Sequence, residues 1–186
     1  MSDLWIDTRI VYEPGRKLAY AYNRAMEDTS AEWVLFIDHD VYLCCNPYWY
    51  TMSLDAVRKV QGEKVGWITA KTNRIGCKAQ LHAVGEDSDD LNHHIAIAQQ
   101  VYKQKGDALH RVNGGNFSGF FILTNKTAWK AVGGFRHMDK GLSAIDVDYC
   151  RRLRREGFSL YVMSGLYMYH YYKKRKKWLY NQFKNG

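Results

Sequence analysis

The chain contains Trp33-Val-Leu-Phe-Ile-Asp38-His39-Asp40, an apolar run that ends in two carboxylates one residue apart. Strand side chains alternate between faces, so a regular strand would point Asp38 and Asp40 the same way, with Val34 to Ile37 anchored in the core. Two acids so placed repel each other and lose hydration. A hard divalent cation, Mg²⁺ or Mn²⁺, offsets both costs, because it takes oxygen ligands and bridges carboxylates to phosphates. Strand carboxyl ends in an α/β sheet are also where ligands bind. Equally compatible with the pair alone is an Asp40 that starts a turn beside a solvated Asp38.

Three further clusters carry chemistry-bearing residues. Gly114-Gly115-Asn116-Phe117-Ser118-Gly119 would let backbone amides approach a ligand closely, although glycine also marks ordinary turns. Val132-Gly133-Gly134-Phe135 precedes Ala144-Ile-Asp146-Val-Asp148-Tyr-Cys-Arg151, a carboxylate pair at a helix start. That position suits a general base; it also suits helix capping by Asp146 and a pair from Asp148 to Arg151 or Arg152. His170 ends the apolar Tyr167-Met-Tyr-His170 run. Its imidazole could complete an Mn²⁺ site begun by Asp40, or simply pack among aromatics.

The elements that must position these residues alternate. Arg9 to Tyr12 reads as a strand, Lys17 to Asp28 as a helix, Trp33 to Asp38 as a strand, Trp49 to Val60 as a helix and Val65 to Ala70 as a strand. This β-α-β-α-β order predicts an α/β sheet. Lys71 to Asp90 is irregular, and its acids could cap the helix that the pattern predicts over Leu91 to Lys103. The pattern then predicts a strand over Asn116 to Thr124, a helix over Asn125 to Val132, a helix over Asp146 to Glu156, and closing strands at Ser159 to Met163 and Leu166 to His170.

With 186 residues, 46% of them apolar, and only two prolines, the chain reads as one compact domain over 1–172 and a tail over 173–186. Cys44, Cys45, Cys77 and Cys150 form no CxxC pair, which fits reduced thiols in the cytoplasm. No apolar run approaches the ~20 residues of a membrane span. Six of the net eight positive charges come from Lys173, Lys174, Arg175, Lys176, Lys177 and Lys184. Interleaved with aromatics, 173–178 could contact nucleic acid or an anionic membrane; docking of the aromatics on the body with the lysines solvated is the plainer expectation.

Taken in order, Ala19-Tyr-Ala-Tyr-Asn23, Glu32-Trp-Val-Leu-Phe-Ile-Asp38-His-Asp40, Ser118-Gly-Phe-Phe-Ile-Leu123, Val132-Gly-Gly-Phe135, Asp146-Val-Asp148-Tyr-Cys-Arg151 and His170 resemble the GT-A glycosyltransferases, most closely family 2. The resemblance spans Val11 to Tyr172. It implies a Rossmann-like, single-domain three-layer sandwich and a nucleotide-sugar donor. It implies Mn²⁺ or Mg²⁺ held by Asp40, with Asp38 at the ribose or a metal-bound water and His170 as a further ligand. Asp146 matches the family's base, which would deprotonate an acceptor hydroxyl for inversion, and Asp148 would support the acceptor or the fold. Gly114, Gly115 and Gly119 would line the donor-sugar pocket, with Asn23 and Arg16 on the donor side. Acceptor candidates are a glycan, protein, lipid or hydroxylated nucleic-acid base.

Departures from the family accompany the match. Members open with two strands that hold the nucleobase, whereas here only Met1 to Tyr12 precede the first helix, so the first strand is expected to be missing. Ile145 stands where the motif has glutamate, and no Gln-x-x-Arg-Trp motif occurs after it, which argues against a processive synthase. The glycine-rich strand and Gly-Gly-Phe turn are also similar to retaining polypeptide sugar transferases. The competing class is a non-catalytic nucleic-acid-binding module on the same scaffold, using Lys173 to Lys177. A nucleotidyltransferase is a weaker third, since Pro14-Gly15-Arg16-Lys17 is a poor triphosphate loop. A missing edge strand would also expose sheet and favour a homo-oligomer.

Overall fold

The computed structural model describes residues 4–13, 15, 17–83, 88–138 and 143–171. Arg16, Glu86, Asp87 and the basic tail 173–186, all singled out in the sequence, lie outside the described residues.

The fold is α/β. Its elements run β1 (Ile6–Arg9), α1 (Leu18–Asp28), β2 (Trp33–Ile37), β3 (Val41–Tyr42), a 3₁₀ turn at Leu43–Cys45, α2 (Trp49–Lys59), β4 (Val65–Thr72), α3 (Leu91–Lys105), β5 (Leu109–Arg111), β6 (Phe121–Asn125), α4 (Lys126–Ala131), α5 (Ser143–Arg155) and β7 (Ser159–His170). Among the described residues the strands form one mixed sheet in the order β1-β2-β6-β4-β7-β3, with β5 pairing β7 beside it. β1 is parallel to β2 and β4 to β7, whereas β6 runs antiparallel to both β2 and β4. The carboxyl ends of β2, β4 and β7 and the start of β6 therefore lie at one end of the sheet.

Helices cover both faces. Val34 to Ile37 are all buried, as expected of an apolar strand sandwiched between layers. Val34 and Phe36 pack with Tyr22 and Met26 of α1, Ala128 of α4 and Tyr149 and Leu153 of α5. Leu35 and Ile37 pack with Met52, Ala56 and Val57 of α2. α3 lies on the last part of β7 through Ala98, Val101, Tyr167 and Tyr169. Side-chain caps start two helices: Asp90 accepts from the Asn92 amide and Asn125 from the Ala128 amide.

Several boundaries differ from the sequence pattern, among them that of α5, which starts at Ser143 and not Asp146. β1 is Ile6–Arg9, not Arg9 to Tyr12: Ile6 is buried, while Ile10 and Tyr12 are exposed. It is the edge strand. β6 starts at Phe121, not Asn116, because the preceding loop is tied elsewhere. Gln80 takes the Ser118 amide at 2.7 Å and returns a bond to its carbonyl at 2.9 Å. The two closing strands are one, running through Gly165. A Cβ there would lie 1.8 Å from the Gly106 carbonyl, so glycine serves close packing and not a turn.

Candidate metal centre and acid-base site

Every side chain of the centre is placed by an element that ends at the same edge. β2 delivers Asp38, whose amide donates to the Phe120 carbonyl ahead of β6 at 3.1 Å. The chain then turns, with the Val41 amide donating to the Asp38 carbonyl at 3.2 Å, and rejoins the sheet as β3, where Val41 pairs with His170. The Tyr171 amide donates to the Asp40 carbonyl at 2.8 Å. The short β3 ladder thus brings together residues 130 positions apart in the chain, as Asp40 and His170 are.

Asp38, Asp40 and His170 each offer a ligand atom within 4.8 Å of the others. His170 Nε2 stands 3.2 Å from Asp40 Oδ1 and 4.0 Å from Asp38 Oδ2. Its ring is buried, lies against Phe120 with centroids 5.5 Å apart, and its Nδ1 lies 3.2 Å from the Arg74 carbonyl. A carbonyl only accepts, so Nδ1 carries a proton in that bond; Nε2 faces the carboxylates, where the imidazolium donates to Asp40 and the neutral ring offers its lone pair to a cation. Ligating histidines are commonly oriented in this way. The Asn73 side-chain oxygen holds the His170 amide at 3.0 Å, so the strand end is fixed as well.

The electrostatics separate the acids. Burial pushes the Asp38 carboxyl up to about 6; His170 opposes this, and the charges of Asp40 and Asp146 add to it. Burial works against Asp40 too, but the hydrogen bond and charge of His170, with His39 behind it, outweigh that and hold Asp40 below the usual carboxylate range. Two acids and one imidazole around a position within ligand reach fit a hard or borderline cation such as Mg²⁺ or Mn²⁺.

Asp146 stands in the first turn of α5 at the same edge. Its Oδ2 accepts from the Gly119 amide at 2.8 Å and its Oδ1 from the Val147 amide at 2.7 Å. Burial nevertheless pushes its carboxyl up to about 6, against those two amide bonds. A carboxylate tuned to that range can take a proton near neutral pH.

A comparison with protein-family models gives no match, and a search of curated proteins gives none.

The other expected residues lie apart from this cluster or serve the fold. Asp148 accepts from Arg152 Nε at 2.8 Å and forms an ion pair with its Nη2 at 2.6 Å, and Arg152 Nη1 bonds the carbonyls of Val132 and Gly134. At 100° per residue, Asp148 lies about 160° around α5 from Asp146, on a face that lines an open pocket of about 430 Å³ with Arg151, Arg152 and Arg155. Asn23 accepts from the Phe135 amide at 2.8 Å and from Trp129 Nε1 at 2.9 Å, and donates to the Phe135 carbonyl at 2.8 Å. It clamps the turn after α4. Gly114 and Gly115 give their carbonyls to Arg154 and Cys150, one to two turns along α5 from Asp146. Only Gly119 of the three glycines touches the centre.

Sequence patterns missed Gln80, which fastens the loop that carries Gly119, because it sits in a polar irregular stretch. All four cysteines are free thiols, and among the described residues no helix is long and apolar enough to cross a membrane.

Proposed function

We propose that this protein is a metal-dependent glycosyltransferase of the GT-A type, moving one sugar from a nucleotide diphosphate donor to an acceptor hydroxyl with inversion. The observation that carries it is the meeting of Asp38, Asp40 and His170 around one cation-sized position, with Asp146 at the same sheet edge.

Asp40 and the Nε2 lone pair of His170 would hold Mn²⁺ or Mg²⁺, with Asp38 as third ligand or as acceptor for a ribose hydroxyl. When bound, the cation supplies Lewis-acid neutralisation of a leaving diphosphate. Asp146 takes the proton of the acceptor hydroxyl at whichever oxygen faces it. The Gly119 and Val147 amides hold that carboxylate in one rotamer, so it meets the hydroxyl without reorganising. The buried His170 ring and the Phe120 face beside it keep water from one side of the centre. Free thiols fit a reducing compartment, and we place the protein in the cytoplasm.

The test is a thermal shift in Mn²⁺, with and without UDP and GDP, followed by release of the free nucleotide from nucleotide sugars. A ligand at a hundredfold excess over its Kd stabilises the native state by about 2.7 kcal/mol. Chelator-sensitive stabilisation and release from one donor are expected. A shift with oligonucleotide and none with metal and nucleotide would replace this function with nucleic-acid binding.

A further inference from the structure

The pocket of about 430 Å³ beside α5 is lined by more positive charge than the fold uses. Ala144, Val147, Asp148, Arg151 and Arg155 recur at helical spacing, so they form one stripe along α5. Asp148 could pair with Arg151, three residues on, or with Arg152, four residues on; it takes Arg152. Arg151 and Arg155 are exposed, and neither makes a hydrogen bond or ion pair among the described residues. Three guanidiniums thus line the pocket against one carboxylate, and two positive charges are left uncompensated.

Like charges at i and i+4 on a helix repel each other. The helix dipole favours Arg155 in the last turn of α5, but its effect fades within that turn, and Arg151 stands before it. Solvation alone would satisfy a flat charged face. Here the two arginines border a cavity whose other lining includes Met138, Ala144 and Val147, all partly buried and apolar. Its volume lies in the range that small organic ligands occupy, about 300–1,000 Å³, and leaves room for more than a bare oxyanion.

The charge count selects the anionic group. A phosphomonoester carries about two negative charges at neutral pH, which matches the two uncompensated guanidiniums, and planar guanidinium forks bond phosphate oxygens in pairs. A carboxylate brings only one charge. We propose that this pocket binds a small organic phosphomonoester, with the phosphate between Arg151 and Arg155 and the organic body against Met138, Ala144 and Val147. Asp148, in the same lining, lies about 160° around α5 from Asp146. The pocket is therefore separate from the acid-base site, and the inference does not rest on the transferase function.

The experiment is titration calorimetry of the full chain with phenyl phosphate, inorganic phosphate and benzoate, in chelator so that no cation draws anions to the sheet edge. Phenyl phosphate should bind saturably. Inorganic phosphate, which lacks the apolar body, and benzoate, which lacks one charge, should each bind more weakly by roughly tenfold or more. Arg151→Gln combined with Arg155→Gln should weaken phenyl phosphate binding by roughly tenfold or more. The melting temperature and the Mn²⁺ shift should stay at the wild-type values, because both side chains are exposed and away from the sheet edge. A doubly substituted chain that binds phenyl phosphate as the wild type does would assign the binding to other cations, those of 173–177 among them, and overturn the inference. Absence of binding to the wild type at millimolar phenyl phosphate would overturn it too. Inorganic phosphate bound as tightly as phenyl phosphate would remove the organic body from the proposal, and benzoate bound as tightly would remove the phosphomonoester; either result overturns the ligand class.

Discussion

Two carboxylates on the first turns of α5 meet opposite fates. Asp148 is paired with Arg152, whose guanidinium also ties the carbonyls of Val132 and Gly134, so its charge is compensated within the protein. Asp146, two residues earlier, receives amides but no cationic side chain among the described residues, and stands with Asp38 at an edge where burial raises both acids to about 6. The clamp region is what a structural ion pair looks like when its desolvation is repaid in place. Under the proposed function, the compensating charge at the sheet edge would come from a cation outside the chain. A like-charged, partly desolvated group is tolerated at a functional site because a ligand relieves it. The difference between the two regions lies in whether the partner is part of the chain.

Neutralising one acid in each region gives the sharpest contrast in activity. Asp40→Asn should lower metal-dependent turnover by roughly 10²–10³-fold, comparable to loss of one electrostatic contact in a reacting centre, and should abolish the Mn²⁺ thermal shift. Asp38→Asn should remove the shift as well, yet raise the melting temperature without metal, since the residue is raised in pKa and therefore destabilising when ionised. The sign comes from linkage: between about 4 and about 6 the folded state holds the Asp38 proton more tightly than the unfolded state, so stability falls as pH rises through that window. Above it the reduced level persists, and asparagine eliminates the loss. An Asp38→Asn protein less stable than wild type at pH 8 would show that this carboxylate is structural.

The clamp should respond in the opposite way. Asp148→Asn leaves the Arg152 guanidinium, with 9% of its side-chain surface exposed, without its carboxylate. Breaking such a pair costs about 3 kcal/mol, or roughly 8 °C in melting temperature for a domain of this size. The Mn²⁺ shift should survive. Calorimetry with and without metal separates the two regions, and loss of the shift in Asp148→Asn would merge them into one site.

How much of the molecule is legible in the sequence depends on how local the cause is. The β2 run with its terminal acids and the amphipathic α1, α2 and α5 are readable, because burial pattern and chemistry sit in one window of the chain. Asn23 reads as a donor contact because nothing within ten residues shows that its amide is taken by Phe135, over a hundred positions away. Gly165 looks like a break between two strands for the same reason: the demand for glycine comes from Gly106, on a different element. β3 and β5, two and three residues long, carry no periodicity to detect. Of the centre, the ligand types are legible, whereas the orientation of His170 by the Arg74 carbonyl arises only from packing.

The smallest effect expected is also the one that best divides the edge into its parts. With metal limiting, both Asp38 and Asp146 must lose a proton for turnover, so kcat/KM should fall by a factor approaching a hundred per pH unit well below about 6. With saturating Mn²⁺, the cation favours the ionised form of Asp38 and moves its titration down, leaving Asp146 alone on the acid limb. The slope should then become tenfold per unit, about 1.4 kcal/mol, with an apparent pKa near 6. A pH profile at two metal concentrations measures this directly. A slope of one at both would mean that Asp38 is already ionised without the cation, and the edge would then resemble the clamp more closely than its geometry implies. A limb that persists unchanged in Asp146→Asn would assign the titration elsewhere and remove Asp146 as the base.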